Sequence, residues 1–140
     1  MSKQYYSAIY QIITTGHWIT DQVTKELKEF GISEPQFNVL RILKGAKGSP
    51  LTVETIQKGM VQKSSNITRL IDKLIIKGLV DRKECAENRR KMDITITEEG
   101  SSLLETLNKK VDELHHPMMD NLSPEELDSL SSLIIKLKSN

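Results

Sequence analysis

Residues 58–91, KGMVQKSSNITRLIDKLIIKGLVDRKECAENRRK, decide the fold of this chain. They hold ten Lys/Arg against four Asp/Glu, a local charge of +6, whereas the remaining residues hold ten basic and fifteen acidic side chains and sum to −5. The net charge of +1 therefore conceals a positive segment on a negative remainder. A clustered positive surface of this kind is typical of proteins that meet phosphates.

The middle of this segment predicts an amphipathic helix. Its apolar residues follow the spacing i, i+3, i+4, i+7 and i+8, so one face is expected to be buried. The helix is expected to begin at Ser64 or Ser65, which can serve as caps, and to end at Gly78. The apolar positions are Ile67, Leu70, Ile71, Leu74 and Ile75.

The neighbours of this helix complete a recognisable motif. Upstream, Thr52 can cap a short helix, and residues 61–63 form the turn between the two helices. Downstream, residues 79–83 and 92–96 predict two strands joined by a charged hairpin. Two short helices with a tight turn, followed by a two-stranded ribbon, predict a winged helix-turn-helix, whose second helix enters the major groove of DNA.

Longer helices are predicted on either side of this motif. Apolar residues at steps of three and four predict a helix over about residues 4–30, and a second helix is expected to begin with Ser33 or Glu34 near its cap. Another helix is expected to start at Thr97 and to stop before Pro117, and a capping box at Ser123 begins the last one. The predicted fold class is mainly α with a small β wing, in a single domain.

The start of the central helix offers groups that can contact DNA. Hydroxyls, an amide and a guanidinium can hydrogen-bond base edges, and backbone N–H groups at a helix start can meet a phosphate. Lys73, further along, is expected to position a phosphate or, like Asp72, to form a local salt bridge. The predicted contacts of this helix are Ser64, Ser65, Asn66, Thr68, Arg69 and Lys73.

The hairpin carries a second set of candidate contacts, Arg89, Arg90 and Lys91, at or near its tip. A long cationic side chain there can enter a narrow, electronegative minor groove. The alternative is an ordinary solvated face, which is what most charge runs form. The order of helix, turn, helix and hairpin favours the DNA contact.

In this order the motifs resemble the MarR (multiple antibiotic resistance regulator) family of bacteria. Residues 64–74, 77–82 and 89–90, followed by 96–100, are similar to the family's recognition helix, helix exit, wing and post-wing helix start. The resemblance extends over nearly the whole chain and implies a winged helix-turn-helix transcriptional regulator.

One wing position departs from the pattern of the family. Family members usually carry an aspartate two positions before the minor-groove arginine, which corresponds to Arg90, and this chain has Asn88 there. An asparagine can hydrogen-bond the arginine but cannot pair with its charge.

The resemblance also implies a homodimer that pairs through helices at both ends of the chain. It divides the chain into a DNA-binding lobe at about 34–100 and a dimerisation region at about 4–30 and 101–140. The sequence agrees, because Gly16 permits close helix approach and the last helix is rich in Leu and Ile. A twofold dimer would meet half-sites roughly 34 Å apart, so the expected operator is pseudo-palindromic.

The functional prediction is therefore a sequence-specific regulator, most often a repressor in this family, released by a small amphipathic or phenolic effector. Relatives bind such effectors between the dimer helices and the DNA-binding lobe. Tyr10, His17, Trp18 and Phe37 are the candidate lining, with ordinary core packing as the alternative for aromatic residues. The alternative function is a winged-helix module that binds protein, or DNA without sequence preference, and responds to no ligand.

The sequence lacks the motifs that are typical of other functional classes. It has no Gly-rich phosphate loop, nucleophile elbow or metal-spaced His/Asp/Glu set, so no enzyme activity, metal or other cofactor is predicted. The adjacent pair His115 and His116 has no accompanying cysteine, which disfavours zinc. The lone Cys85 cannot form an internal disulfide, and an inert thiol is favoured over a redox switch. No apolar run is long enough to span a membrane, and the expected location is the cytoplasm.

Overall fold

The chain forms a helical fold with one small sheet, described by a computed structural model over residues 2–139. The elements are α1 (Lys3–Lys28), α2 (Glu34–Gly45), α3 (Val53–Gly59), α4 (Ile67–Ile76), β1 (Val80–Glu84), β2 (Met92–Ile96), α5 (Glu98–His115) and α6 (Pro124–Lys138), with a 3-10 turn at His116–Met118. No helix in this range combines the length and the apolarity that crossing a membrane requires. The predicted class, mainly α with a β wing, is confirmed.

Every α-helix begins at a polar side chain that accepts a hydrogen bond from a backbone N–H of the first turn. Ser33 and Ser123 form full capping boxes with the glutamine or glutamate three residues later. Gly78 ends α4 with a φ of 74°, a left-handed conformation that costs glycine little. The capping residues are Ser2, Ser33, Thr52, Asn66, Thr97 and Ser123.

The start of α4 differs from the expectation. The predicted start at Ser64 or Ser65 is wrong. The helix begins at Ile67, with Asn66 as its cap. The Asn66 carbonyl oxygen accepts from the backbone N–H of Arg69 at 3.2 Å, and the Ser65 N–H donates to Gln62 in the preceding turn at 3.2 Å. Asparagine caps helices as well as serine does, so the sequence held three competing caps in a row.

The core lies between α2 to α5 and the sheet, whereas the outer helices contribute little to it. Leu27 is the one buried residue of α1, and no residue of α6 within 124–138 is buried. The core is one cluster that includes Val39, Leu40, Leu43, Ile56, Met60, Ile71, Leu74, Ile94, Leu104 and Leu107. The DNA-binding motif predicted from the sequence therefore rests on a rigid apolar base.

The two strands form an antiparallel ribbon in which Val80 pairs with Ile96 and Glu84 with Met92. Leu51 forms an isolated β-bridge with β2, since its N–H and carbonyl exchange hydrogen bonds with Ile94 at 3.0 and 2.8 Å. The base of the ribbon is thereby fixed to the segment before α3, and its tip extends away from the core.

Candidate nucleic-acid interface

Helix α4, termed the recognition helix below, is held by its buried face. Ile67, Ile71 and Leu74 are buried where the helix packs against α2, α3 and β1. Its other face exposes the side chains that the sequence assigned to DNA contact: Thr68, Arg69 and Lys73 are all exposed. A rigid helix with free polar groups at its start is what major-groove reading requires.

The segment before the recognition helix is shaped by side chains of the two preceding helices. Gln57 donates to the carbonyl of Lys63 at 2.7 Å, and Asn38 accepts from the N–H of Val61 at 2.8 Å. Ser64 and Ser65, which the sequence placed in the helix, lie in this turn as an exposed and a half-buried residue. The turn is therefore presented next to the start of the helix.

Asn66 has a structural task as well as the predicted one. Its side-chain oxygen is occupied by the N–H of Arg69, which leaves its NH₂ group as the donor for a partner. The amide can still offer a hydrogen bond outward, but its orientation is fixed by the cap.

The wing, defined as β1, β2 and residues 85–91 between them, ends in a closed loop. The Cys85 N–H donates to the Lys91 carbonyl at 3.0 Å, and the Lys91 N–H donates to the Asn88 carbonyl at 3.0 Å. Arg89, Arg90 and Lys91 are all exposed around this loop. Three cations thus share a short, backbone-braced tip.

Asn88 shapes the wing tip through the backbone rather than through the arginine side chain. Its side-chain oxygen accepts from the N–H of Arg90 at 3.0 Å. Within residues 2–139, the one ion pair joins Arg82 and Asp72, so no carboxylate neutralises the Arg90 guanidinium there. Asn88 therefore stabilises the turn at the wing tip, and the charge of the Arg90 side chain stays available for a phosphate.

The Arg82–Asp72 ion pair connects the wing to the recognition helix. The two side chains meet at 2.7 Å and are 36% and 49% exposed, so solvent limits the contribution of the pair to stability to below about 1 kcal/mol. The salt bridge expected for Asp72 is confirmed. The ion pair fixes the relative position of the wing and the recognition helix, the two elements that carry the candidate DNA contacts.

Comparison with known proteins agrees with this geometry. The sequence profile of the MarR family matches residues 32–92. Residues 32–92 form a MarR-family domain. MepR of S. aureus, solved in complex with DNA, is 25% identical with a TM-score of 0.79 over 94% of both chains.

Two further solved structures share the fold of the MarR-family domain and its flanking helices. AbsC of Streptomyces coelicolor is 20% identical, with a TM-score of 0.84 over 98% of this chain and 93% of AbsC. The organohalide-sensing regulator RdhR, solved with 2,4-dichlorophenol, is 20% identical, with a TM-score of 0.81 over 99% of this chain and 81% of its own. The chain thus has the DNA-binding fold of MarR-family transcriptional regulators.

A small cavity lies where the MarR-family domain meets α1 and α5. It measures about 190 Å³, and Phe37 and Arg41 of α2 line it together with His115 of α5. The guanidinium of Arg41 sits 5.5 Å from the centre of the Phe37 ring, a cation–π contact. Burial raises the pKa of the Glu34 carboxyl, which lines the same cavity, above its usual value.

The four residues predicted to line an effector pocket do not come together around this cavity. Phe37 is buried in its wall. Tyr10, His17 and Trp18 are exposed on α1 and are not among the lining residues. Tyr10 stands nine residues before Ile19, the nearest lining residue of α1, which is about 13 Å along a helix axis.

The sequence did not predict that Arg41 and His115 line this cavity. Each is one of several polar residues in an amphipathic helix, and nothing in the local pattern distinguishes it from a solvated surface group. Their proximity arises only from the packing of α2, α5 and α1.

Outside the MarR-family domain, α1 and α6 present a broad apolar surface. An apolar groove between them is lined by Ile12, Leu130 and Leu133, among others. Tyr10 is 64% exposed and Leu133 62% exposed. The chain has an accessible surface of 10,340 Å² at 15.9 kDa, against about 7,400 Å² expected for a compact monomer of that mass.

Proposed function

We propose that this chain is a sequence-specific DNA-binding regulator that reads the major groove with the start of the recognition helix and grips the minor groove with the wing. The observation that supports this most is the link between the two elements. Arg69 and Arg90 are exposed on separate elements that the Arg82–Asp72 ion pair joins over one core. The charge of +6 over residues 58–91 supplies the attraction to phosphates.

The proposed working form is a homodimer built from α1, α5 and α6. A single chain exposes about 3,000 Å² more than a compact monomer would, and each partner of an obligate homodimer buries roughly 1,000–2,500 Å². Most of the large apolar side chains that are exposed lie on α1 and α6, which also supports a self-complementary twofold contact. Such a dimer carries two recognition helices and fits an inverted repeat.

We further propose that the dimer acts as a repressor that a small phenolic or aromatic acid releases. The cavity of about 190 Å³ has room for one aromatic ring, and Arg41 supplies a cation for a carboxylate or phenolate. Val61, which precedes the recognition helix, lines the same cavity. A ligand there would shift the position of the recognition helix relative to the proposed dimer helices α1, α5 and α6.

The effector proposal is tested by a ligand panel. Single-ring acids and phenols should raise the melting temperature of the protein and lower its DNA affinity, and Arg41→Gln should lose both responses. A panel in which no compound changes either quantity would refute this part of the proposal and leave DNA binding in place.

The alternative is a winged-helix module that binds DNA without sequence preference or binds protein. The exposed side chains at the start of the recognition helix favour base reading, because hydroxyl, amide and guanidinium groups match base edges. Arg69→Ala discriminates between the two. It should change which duplexes are preferred if the helix reads bases, and a non-specific binder has no preference to change.

DNA binding itself is tested by the salt dependence of affinity for a labelled duplex of mixed sequence. Replacing Arg89, Arg90 and Lys91 together with alanine should weaken binding and reduce the slope of log K against log salt by up to about three. Replacing Lys25, Lys28 and Lys47 together with alanine is the control matched for lost charge, because all three are exposed and lie outside residues 58–91. Equal slopes for the wing variant and the wild type would refute the proposed contact.

A further inference from the structure

Lys77 links the end of the recognition helix to the junction between α1 and α2. It caps the C-terminus of the recognition helix, just before Gly78. Its ammonium group donates to the carbonyl of Gly31, which follows α1, and to the side-chain oxygen of Gln36 at 3.4 Å. One side chain therefore joins the recognition helix to a junction that lies more than 40 residues earlier in the sequence.

The receiving end of this link is rigid. Gln36 is only 5% exposed, and its side-chain oxygen also accepts from the N–H of Ser33 at 3.1 Å. The Ser33 hydroxyl in turn accepts from the N–H of Gln36 at 3.3 Å, which closes the capping box of α2. A lysine bound to a buried, doubly bonded amide is held to a fixed point rather than to a mobile surface group.

The Lys77 link lies between the helix proposed to read DNA and the helix proposed to form the dimer contact. The recognition helix packs against α2, α3 and β1, while α1 forms much of the exposed apolar surface assigned to the dimer contact. Lys77 contacts the loop where α1 ends. A rotation of the recognition helix relative to that end would move the ammonium group away from its two acceptors.

We propose that Lys77 is a positioning residue that sets the angle between the recognition helix and α1, which belongs to the proposed dimer contact. It thereby selects the spacing between the two half-sites that the dimer accepts. This rests on the proposed function, because spacing has meaning only for a dimer on an inverted repeat. The ammonium does not touch DNA in this role.

The effect is expected to be selective. Loss of Lys77 leaves the contact groups of each recognition helix unchanged, so affinity for a single half-site should stay near the wild-type value. Preference for one spacing should fall, because a less constrained angle lets the dimer fit several spacings. The size of a charge-assisted hydrogen bond, partly screened by solvent, gives a change of about threefold to tenfold.

The test compares affinities of the full chain for duplexes that carry an inverted repeat at the preferred spacing or with one base pair inserted. For Lys77→Met, the ratio of the two affinities should fall about fivefold, and Lys77→Arg, which keeps donors and charge, should restore it. Lys25→Met, at an exposed position of α1, controls for lost charge. Lys77→Gln takes the place of Lys77→Met if the latter does not fold.

The outcomes separate the two proposals. A wild-type ratio in the folded Lys77→Met protein, or an equal loss of affinity for every spacing and for a single half-site, overturns the positioning role alone. A wild type that shows no preference for an inverted repeat overturns the proposed function and this inference with it. A reduced ratio that Lys77→Arg restores supports the positioning role.

Discussion

Arg90 carries an unneutralised charge at an exposed wing tip, so its removal isolates the grip of the wing. We predict that Arg90→Ala weakens binding by a similar factor for all sequences and reduces the salt slope by about one unit. The check is a titration of labelled duplexes at several salt concentrations. A loss confined to one sequence, with an unchanged slope, would mean that Arg90 reads a base and does not contact a phosphate.

Glu34 gives a pH dependence whose sign can be worked out. Burial raises the pKa of its carboxyl above 4.5, so the folded protein holds the proton to higher pH than the unfolded chain does. The contribution of Glu34 to the free energy of unfolding is therefore greatest below pH 4.5 and falls as pH rises through the raised pKa.

Glu34→Gln, which cannot titrate, measures this contribution. The difference between wild type and variant in free energy of unfolding should decrease as the pH rises from 4.5 through the raised pKa, by less than about 1 kcal/mol because the group is largely solvated. Urea unfolding at a series of pH values provides the measurement. An increase with pH would show that the start of α2 favours the charge more than burial opposes it.

At the residue scale, the sequence predicted which side chains of the recognition helix are exposed but not which residues the exposed side chains contact. The period of the recognition helix was enough to place Arg69 and Lys73 outside the core. The partner of Arg82 and the partners of Lys77 come from elements that pack together only in three dimensions. Asn88 was identified as unusual from sequence, yet its bond to the Arg90 backbone depends on the loop conformation.

Among the elements, the start of α5 is held tightly against the strand before it, and Gly100 is the point of contact. A Cβ at this position would lie 2.8 Å from Cγ1 of Ile96 and 3.0 Å from the Leu79 carbonyl carbon. The Leu79 carbonyl also accepts from the N–H of Thr97 at 3.0 Å, so neither group can move freely.

Gly100→Ala should therefore destabilise the protein by about 2–3 kcal/mol through overpacking. The check is thermal or urea unfolding. Gly45→Ala is the control, because a Cβ at Gly45 meets nothing within 4 Å. Equal stability of the two variants would mean that α5 can shift away from the strand at little cost.

The elements themselves were largely predictable because each helix carries its own start signal. Thr52, Ser33, Thr97 and Ser123 cap helices where the sequence placed them. The recognition helix was misplaced because serine and asparagine caps compete in adjacent positions. The β-bridge between Leu51 and Ile94 was not predicted, since a single bridging residue leaves no alternating pattern of polar and apolar residues.

For the whole molecule, the exposed apolar surface of α1 and α6 predicts that dimerisation depends on residues such as Leu133. Leu133→Glu puts a charge into both copies of the contact, so the dissociation constant of the dimer should rise by a factor of about 100 or more. Sedimentation over a range of concentrations measures this constant. Ile76→Glu is the control, because Ile76 is 85% exposed on the recognition helix, outside the proposed contact of α1, α5 and α6.

An unchanged dimer in Leu133→Glu would remove α6 from the contact. A monomeric wild type at micromolar concentration would contradict the dimer altogether.

The whole-molecule features that add up along the chain were visible in the sequence. The charge asymmetry needs only counting, and the Leu-rich last helix indicated an apolar face. The cavity was not predictable, because Arg41 and His115 are brought to Phe37 by the packing of separate helices. The periodicity of one helix contains no information about its contacts with another helix.

The central claim, that a dimer reads an inverted repeat, is tested most directly by selecting bound duplexes from a random DNA library at near-physiological salt, where non-specific phosphate binding is suppressed. We expect enrichment of an inverted repeat with half-sites about one helical turn apart. Retention of DNA at low salt with no enriched sequence would contradict the claim and indicate non-specific binding.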